Sequence, residues 1–198
     1  MSEERAGVIA TGAGAQSPTR IRRGDVGDAA ALAEFGARVF AATFGPENDP
    51  RDMEAYLAAT YGEARQRAEL ERTENAFLIA EHGGELAGYA FVRDARLDVD
   101  AFEDESRSVE LVRFYVDPRW HGQGIARSLM DAVAAEVRAR GAVLLWLGVW
   151  ERNPRAIRFY EKQGFRDVGH HDFVLGSDVQ RDRLMVRELG ATMVGGRE

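Results

Sequence analysis

The chain is 198 residues long and 45% hydrophobic, enough for one domain with a real core and too short to expect two. It has no cysteine, which excludes a disulfide framework, a thiol nucleophile and a cysteine-based zinc site, and its four histidines fall in no ligand spacing, so no metal is expected. A net charge of −7 argues against a nucleic-acid surface, no apolar stretch approaches the roughly 18 residues that span a bilayer, and no basic-then-apolar leader is read; a cytoplasmic protein with neither a membrane nor a nucleic-acid partner is expected.

Residues 1–18, rich in Gly, Ala and Ser, are expected to be a disordered tail. Residues 19–22 form a short first strand. A helix over 25–42 follows, with Ala29, Leu32, Ala33, Phe35, Gly36, Val39 and Phe40 available for its buried face, and it stops at Thr43-Phe44-Gly45-Pro46. Asp49-Pro50 starts a second helix by the N-cap and first-turn rule, with Met53, Tyr56 and Leu57 as its stripe, and the charged segment 63–72 reads as helical too. Then the period changes. The apolar runs 76–80 and 86–92 flank His82-Gly83-Gly84-Glu85 and predict a hairpin. An acidic loop holds Asp98, Asp100, Glu103, Asp104 and Glu105.

Val109, Leu111, Val112, Phe114, Tyr115 and Val116 are β-branched, apolar or aromatic, and the run stops at Asp117-Pro118, a strand and its turn. A loop carrying Gly122 and Gly124 leads into the helical pattern Ile125, Leu129, Val133 and Val137, with Met130 beside them. The continuous apolar run 142–149 reads as a central strand buried on both faces. Asn153 suits an N-cap, Pro154 a first helical position and Gly164 the C′ position, which brackets another helix. A strand through Val168 and a last strand near Leu184-Met185-Val186 close the sheet, and residues 190–198 are a loose, flexible end. The order is βααβββαβαββ: a single α/β (α+β) domain over 19–189, one mixed sheet with helices on both faces.

A strand, a glycine loop and a helix N-terminus make an anion trap, because free N–H groups converge there and the helix dipole adds positive potential. A nucleoside-triphosphate loop would need a Gly-Lys-Ser/Thr ending, which is absent. A dinucleotide fingerprint would need a small residue at Arg127. What remains, His121-Gly122-Gln123-Gly124-Ile125-Ala126, resembles the Arg/Gln-x-x-Gly-x-Gly/Ala signature of the GCN5-related N-acetyltransferases (GNAT), with His121 where that family has Arg or Gln. Asn153-Pro154-Arg155-Ala156-Ile157-Arg158-Phe159-Tyr160-Glu161-Lys162-Gln163-Gly164-Phe165 resembles the family's Asn-x-x-A-x-x-F-Y-x-x-x-G-F element nearly residue for residue.

The resemblance implies a mostly antiparallel sheet splayed at its centre, with acetyl-CoA entering the gap like an extra strand as co-substrate. It implies that the backbone of Phe114, Tyr115 and Val116 holds the pantetheine arm. It further implies that His121, Gly122, Gln123, Gly124, Ile125, Ala126 and Arg127 hold the pyrophosphate, and that Asn153 and Arg155 lie near the cofactor. Tyr160 matches the tyrosine beside the coenzyme sulfur. Transfer to an amine also needs a base, and Glu110, on the strand just before the pantetheine segment, is the candidate; the alternative for Glu110 is a solvated strand carboxylate paired with Arg113.

The expected activity is direct acetyl transfer, in a ternary complex, to a primary amine of a small molecule. The run Glu110 to Val116, Thr43-Phe44-Gly45, Asn48 and Gly88-Tyr89 resemble the polyamine (spermidine/spermine) branch, and the acidic loop could hold a polycation. A protein or peptide amine as acceptor, or a non-catalytic acyl-CoA-binding module, are the alternatives. Homodimerisation is left open.

Overall fold

The computed structural model describes residues 19–97 and 107–190; the two expected tails, apart from Gly190, and the acidic loop lie outside the described residues. Strand β1 (Thr19–Arg23) is followed by helices α1 (Ala29–Phe44), α2 (Pro50–Tyr61) and α3 (Glu63–Leu70). Then come β2 (Asn75–His82), β3 (Glu85–Asp94), β4 (Ser108–Val116), α4 (Ile125–Ala139), β5 (Leu144–Trp150) and α5 (Pro154–Lys162), with β6 (Arg166–Leu175) and β7 (Asp178–Glu188) last. The seven strands form one sheet in the order β1-β2-β3-β4-β5-β7-β6. Every neighbouring pair is antiparallel except β4 and β5.

Helix α4 covers one face. Ile125, Leu129, Met130, Val133 and Val137 are all buried, and they pack on small and branched sheet residues such as Ala80, Ala90, Val92 and Leu145. The alanines let the helix sit close to the sheet. Helix α1 covers the other face with Leu32, Phe35 and Val39 against Phe77, Ile79, Tyr89 and Phe91, whose rings at 77 and 91 stack 4.4 Å apart. Burial on both faces explains why β2 and β3 read as continuous apolar runs rather than alternating ones. Helix α2 starts as its sequence predicts, with the Asp49 carboxylate accepting from the N–H groups of Arg51 and Asp52 and Pro50 in the first turn.

Helix α3 has almost no apolar stripe and is held by charge instead. Arg113 of β4 is buried, and its guanidinium donates to both carboxylate oxygens of Glu69 at 2.6 and 3.2 Å and to Gln66 Oε1 at 3.2 Å. Gln66 in turn donates to the Thr60 carbonyl at 2.9 Å. Arg113 also stands over the Tyr61 and Phe91 rings, 5.2 Å from each. Burial alone would favour losing its proton, but the Glu69 carboxylate holds it firmly charged.

The last two strands are far longer than their sequence suggests. β6 alternates no apolar residues along most of its length and is largely exposed, so it carries no period-2 signal. Its partner β7 supplies the ladder, from Arg166↔Val186 to Leu175↔Asp178, with one irregularity at Gly169. The hairpin tip is tied to the start of α2, where Ser177 donates its N–H and its hydroxyl to Asp52 at 2.8 and 2.7 Å.

Removing one partner of a buried ion pair leaves the other charge uncompensated. Glu69→Ala is therefore expected to lower the unfolding free energy by about 3–5 kcal/mol, read by urea denaturation; a loss below about 1 kcal/mol would mean that Arg113 finds water or another partner.

Candidate active site

β4 and β5 are hydrogen-bonded only over Ser108↔Leu144, Val109↔Leu145 and Glu110↔Trp146. β4 continues to Val116 and β5 to Trp150, so beyond that point the two strand edges face one another unpaired. A β-bulge accompanies the parting: Phe91 and Val92 of β3 face Arg113 and Leu111, which leaves Val112 as the extra residue of β4. The gap belongs to a cleft of about 690 Å³, lined among others by His121, Arg155, Phe114, Tyr160, Tyr56 and Asp182.

Part of this lining is built by the loop after β4. Asp117 is buried, and its carboxylate accepts from the Arg119 N–H at 2.9 Å, from the Arg119 guanidinium at 3.2 and 3.3 Å, and from Arg38 at 2.8 Å. Burial would raise its pKa, but the Arg119 N–H and the two guanidinium groups bring it down to about 2. The loop is thereby clamped. His121 Nε2 lies 3.0 Å from the Val116 carbonyl, which can only accept, so Nε2 carries the proton. Burial, and then the positive charge of Arg155, lower the His121 pKa and keep the ring neutral. His121 thus fastens the loop to the end of β4.

Gly122 and Gly124 both have φ of +81°, a conformation that favours glycine, and among the described residues none beyond their chain neighbours comes within 4 Å of where either Cβ would be. The N-cap Gly124 has no side chain to cap α4, and its carbonyl takes the Ser128 N–H. Among the described residues the N–H groups of Gly122, Gly124, Ile125, Ala126 and Arg127 have no acceptor. Their hydrogen-bonding capacity is left for solvent or a ligand. Asn153 stands opposite as the N-cap of α5, its Oδ1 accepting from Ala156 N at 3.1 Å, and Arg155 follows it on the cleft wall.

Tyr160 lines the cleft. Its ring packs edge-on against Phe159 and Phe165, each 5.5 Å away, and Phe114 at 6.3 Å. Burial pushes its pKa well up, so the hydroxyl stays protonated and can only donate or accept a hydrogen bond. Glu110 stands where the strands part and lines the cleft, but its partner is Arg93, at 2.6–2.7 Å, and not Arg113.

The cleft lining also holds two groups that sequence reasoning missed. Asp182 of β7 sits opposite Trp150 of β5 and His171 of β6 in the sheet register. Its side chain is only 14% exposed; Oδ1 is buried with no hydrogen-bond partner, and Oδ2 lies 3.9 Å from His171 Nε2. Burial pushes its pKa up to about 6 against the opposing pull of His171. Gly148 makes room for both: a Cβ there would come 2.7 Å from His171 Nε2 and 3.3 Å from Asp182 Oδ2. A glycine inside an otherwise apolar strand was the one available hint of close approach. Among the described residues no group of three or more His, Cys, Asp or Glu side chains could hold a metal ion.

A model of the acetyltransferase (GNAT) family matches residues 40–165. An uncharacterized N-acetyltransferase of Mycobacterium tuberculosis is 37% identical over 162 residues, covering 82% of this chain and 98% of its own. The spermine/spermidine N(1)-acetyltransferase of Bacillus subtilis is 30% identical over 108 residues, 54% of this chain and 65% of that protein. Among solved structures, the PaiA N-acetyltransferase of Thermoplasma acidophilum in complex with coenzyme A is similar in fold, with a TM-score of 0.69 at 20% identity over 86% of this chain and 99% of that one.

The raised Asp182 pKa has a consequence for stability. The folded state holds this proton more tightly than the unfolded chain, whose Asp titrates near 3.9, so the group costs nothing below about pH 4 and destabilises increasingly as pH rises through 6. Asp182→Asn is expected to stabilise the protein by on the order of 3 kcal/mol at pH 7, with the gain vanishing near pH 4. Urea unfolding of both proteins at the two pH values checks this.

Proposed function

The chain belongs to the acetyltransferase (GNAT) family, and on that premise we propose that it moves the acetyl group of acetyl-CoA to a primary amine of a small molecule. The observation that carries this reading is an opened sheet whose cleft is lined by His121 and Ala126, next to the unpaired N–H groups of the glycine loop. The glycine loop and the start of α4 would take the pyrophosphate, with Arg155 alongside. The unpaired edge of β4 at Phe114 to Val116 would take the amides of the pantetheine arm. The thioester then reaches Tyr160.

An amine with a pKa near 10.4 must give up its proton, at a cost of about 4.6 kcal/mol at pH 7. Glu110, the carboxylate at the fork, is occupied by its ion pair with Arg93 and does not by itself account for that step. Tyr160 acts as a hydrogen-bond donor to the departing sulfur and not as a full acid, because burial makes its proton harder to remove. The similarity to the spermine/spermidine enzyme over half of this chain, and the acidic stretch that precedes β4, put spermidine among the acceptors to try.

Thiol release from acetyl-CoA against a panel of primary amines tests the reading. Tight acetyl-CoA binding with no turnover on any amine would reduce the protein to a non-catalytic acyl-CoA-binding module. Tyr160→Phe keeps the ring and removes the hydroxyl, and is expected to lower kcat roughly 10- to 100-fold while leaving the acetyl-CoA Kd unchanged. Gly124→Asn separates conformation from space, since Asn tolerates the left-handed region but fills the opening before the helix. It should weaken acetyl-CoA binding about tenfold or more while the protein stays folded; an unaltered affinity would remove the loop from the coenzyme site.

A further inference from the structure

We propose that Asp182 receives the ammonium group of the acceptor and takes its proton, with His171 as the residue that positions Asp182 and relays the proton to solvent. This rests on the amine-acetylation reading and names the base and the acceptor class within it. The geometry carries it in three steps.

First, a carboxylate whose Oδ1 is buried without a hydrogen bond is a costly feature in a folded protein. No cation of the described chain relieves it except His171 at 3.9 Å, and only when that ring is protonated. The neighbouring cations of β7 lie on the other side of the strand and are engaged elsewhere: Arg181 with His170 at 2.9 Å, Arg183 with Asp167 at 3.6 Å. From α2 the group facing Asp182 is Tyr56, which burial keeps protonated. From β5, Gly148 and Trp150 contribute no titratable group. From β4, Glu110 shares the cleft but is held by Arg93. One carboxylate and one imidazole are too few for a metal and suit an ammonium, which brings three donors.

Second, the walls are aromatic. Tyr56 packs edge-on against Phe173 with ring centroids 5.7 Å apart, and Trp150 packs against Phe44 at 5.6 Å. Ring faces attract organic cations and cover an apolar body, so the class favoured is a compact primary ammonium with an aliphatic or aromatic chain. Third, His171 is 47% exposed, which gives the proton a way out of a site where Asp182 itself has almost none.

The step balances. An N–H bond of the ammonium breaks and its proton goes to Asp182 Oδ2, the oxygen on the His171 side, leaving the lone pair to form the C–N bond at the thioester carbonyl carbon. The C–S bond breaks with its electrons on sulfur. The nitrogen's second proton passes to solvent, the Tyr160 hydroxyl donates a hydrogen bond to the thiolate while keeping its own proton, and the thiolate takes one proton back from solvent, so coenzyme A ends as the thiol. Asp182 hands its proton to His171 Nε2, directly as the pair closes or through one water, and one H⁺ is released. Burial, which pushes Asp182 up to about 6, makes it a better proton acceptor than an exposed carboxylate while leaving it ionised at pH 7.

The test uses the full chain, acetyl-CoA, and propylamine, phenethylamine and spermidine as acceptors, with kcat/KM measured from pH 5 to 9. For the wild type kcat/KM should rise to about pH 6 and then level off, because the ammonium is the species bound. Asp182→Asn should lower kcat/KM about 100-fold or more, lose that acid limb and keep the acetyl-CoA Kd. His171→Gln removes a charge that favours ionised Asp182, so its limb should persist with the midpoint moved upward. Glu110→Gln should keep the limb where it is. Turnover of Asp182→Asn within about threefold of wild type, or a limb lost in Glu110→Gln instead, would overturn the proposal. If the wild type turns over no amine, the acetylation reading fails by itself, and the ammonium site is then read from binding. Phenethylammonium, followed by tryptophan fluorescence, should bind at least about tenfold more weakly to Asp182→Asn; equal affinity, or no binding to the wild type, sinks the site.

Discussion

The parting of β4 and β5 after three paired residues is the constraint from which the site follows. Unpaired backbone groups in a sheet interior cost free energy, so two facing strand edges persist only where something keeps them apart and something else can satisfy them. Here the parallel ladder is short, and parallel pairing is the weaker kind per residue. The bulge at Val112 bends β4 away just past the last pair. Below the gap, Phe114 stacks on Phe159 at 5.5 Å and closes against Tyr160. Above it, the Tyr61 and Tyr115 hydroxyls meet at 2.6 Å. Side chains from both layers therefore pack against β4 where it leaves β5.

The two buried charges of this region contrast. Arg113 is met on every side, by Glu69, Gln66 and two aromatic rings, and its work is to anchor α3 and the rising strand. Asp182 is met by one half-exposed histidine and keeps one buried oxygen without a hydrogen bond. A satisfied buried charge holds structure. An unsatisfied one in a cleft destabilises the fold and is where chemistry on a cation is expected.

The cleft walls are mostly apolar and aromatic, with Arg155 and Asp182 as opposite charges among them. The clamp on Asp117 holds the loop after β4, since three donor groups meet a carboxylate that is ionised at any ordinary pH.

Sequence alone carried the parts that local rules govern. The N-caps Asp49 and Asn153, the glycine loop before Ile125, the β2–β3 hairpin and the α4 stripe are all decided by neighbours within a few residues, and each sits where its pattern puts it. The helix limits moved only slightly, α1 running on to Phe44 and β5 starting at Leu144 after an apolar run that begins at Ala142. Tertiary structure decided the rest, for two physical reasons. The β6–β7 hairpin has no apolar alternation to announce it, because its outer strand is exposed and backbone pairing holds it. The groups that meet in the cleft come from distant segments: Glu110 found Arg93 and not Arg113 through the β3–β4 register, and Asp182 met His171 over Gly148 through the register of three strands. Periodicity says which face a residue takes, but only the pairing of strands says what stands opposite it.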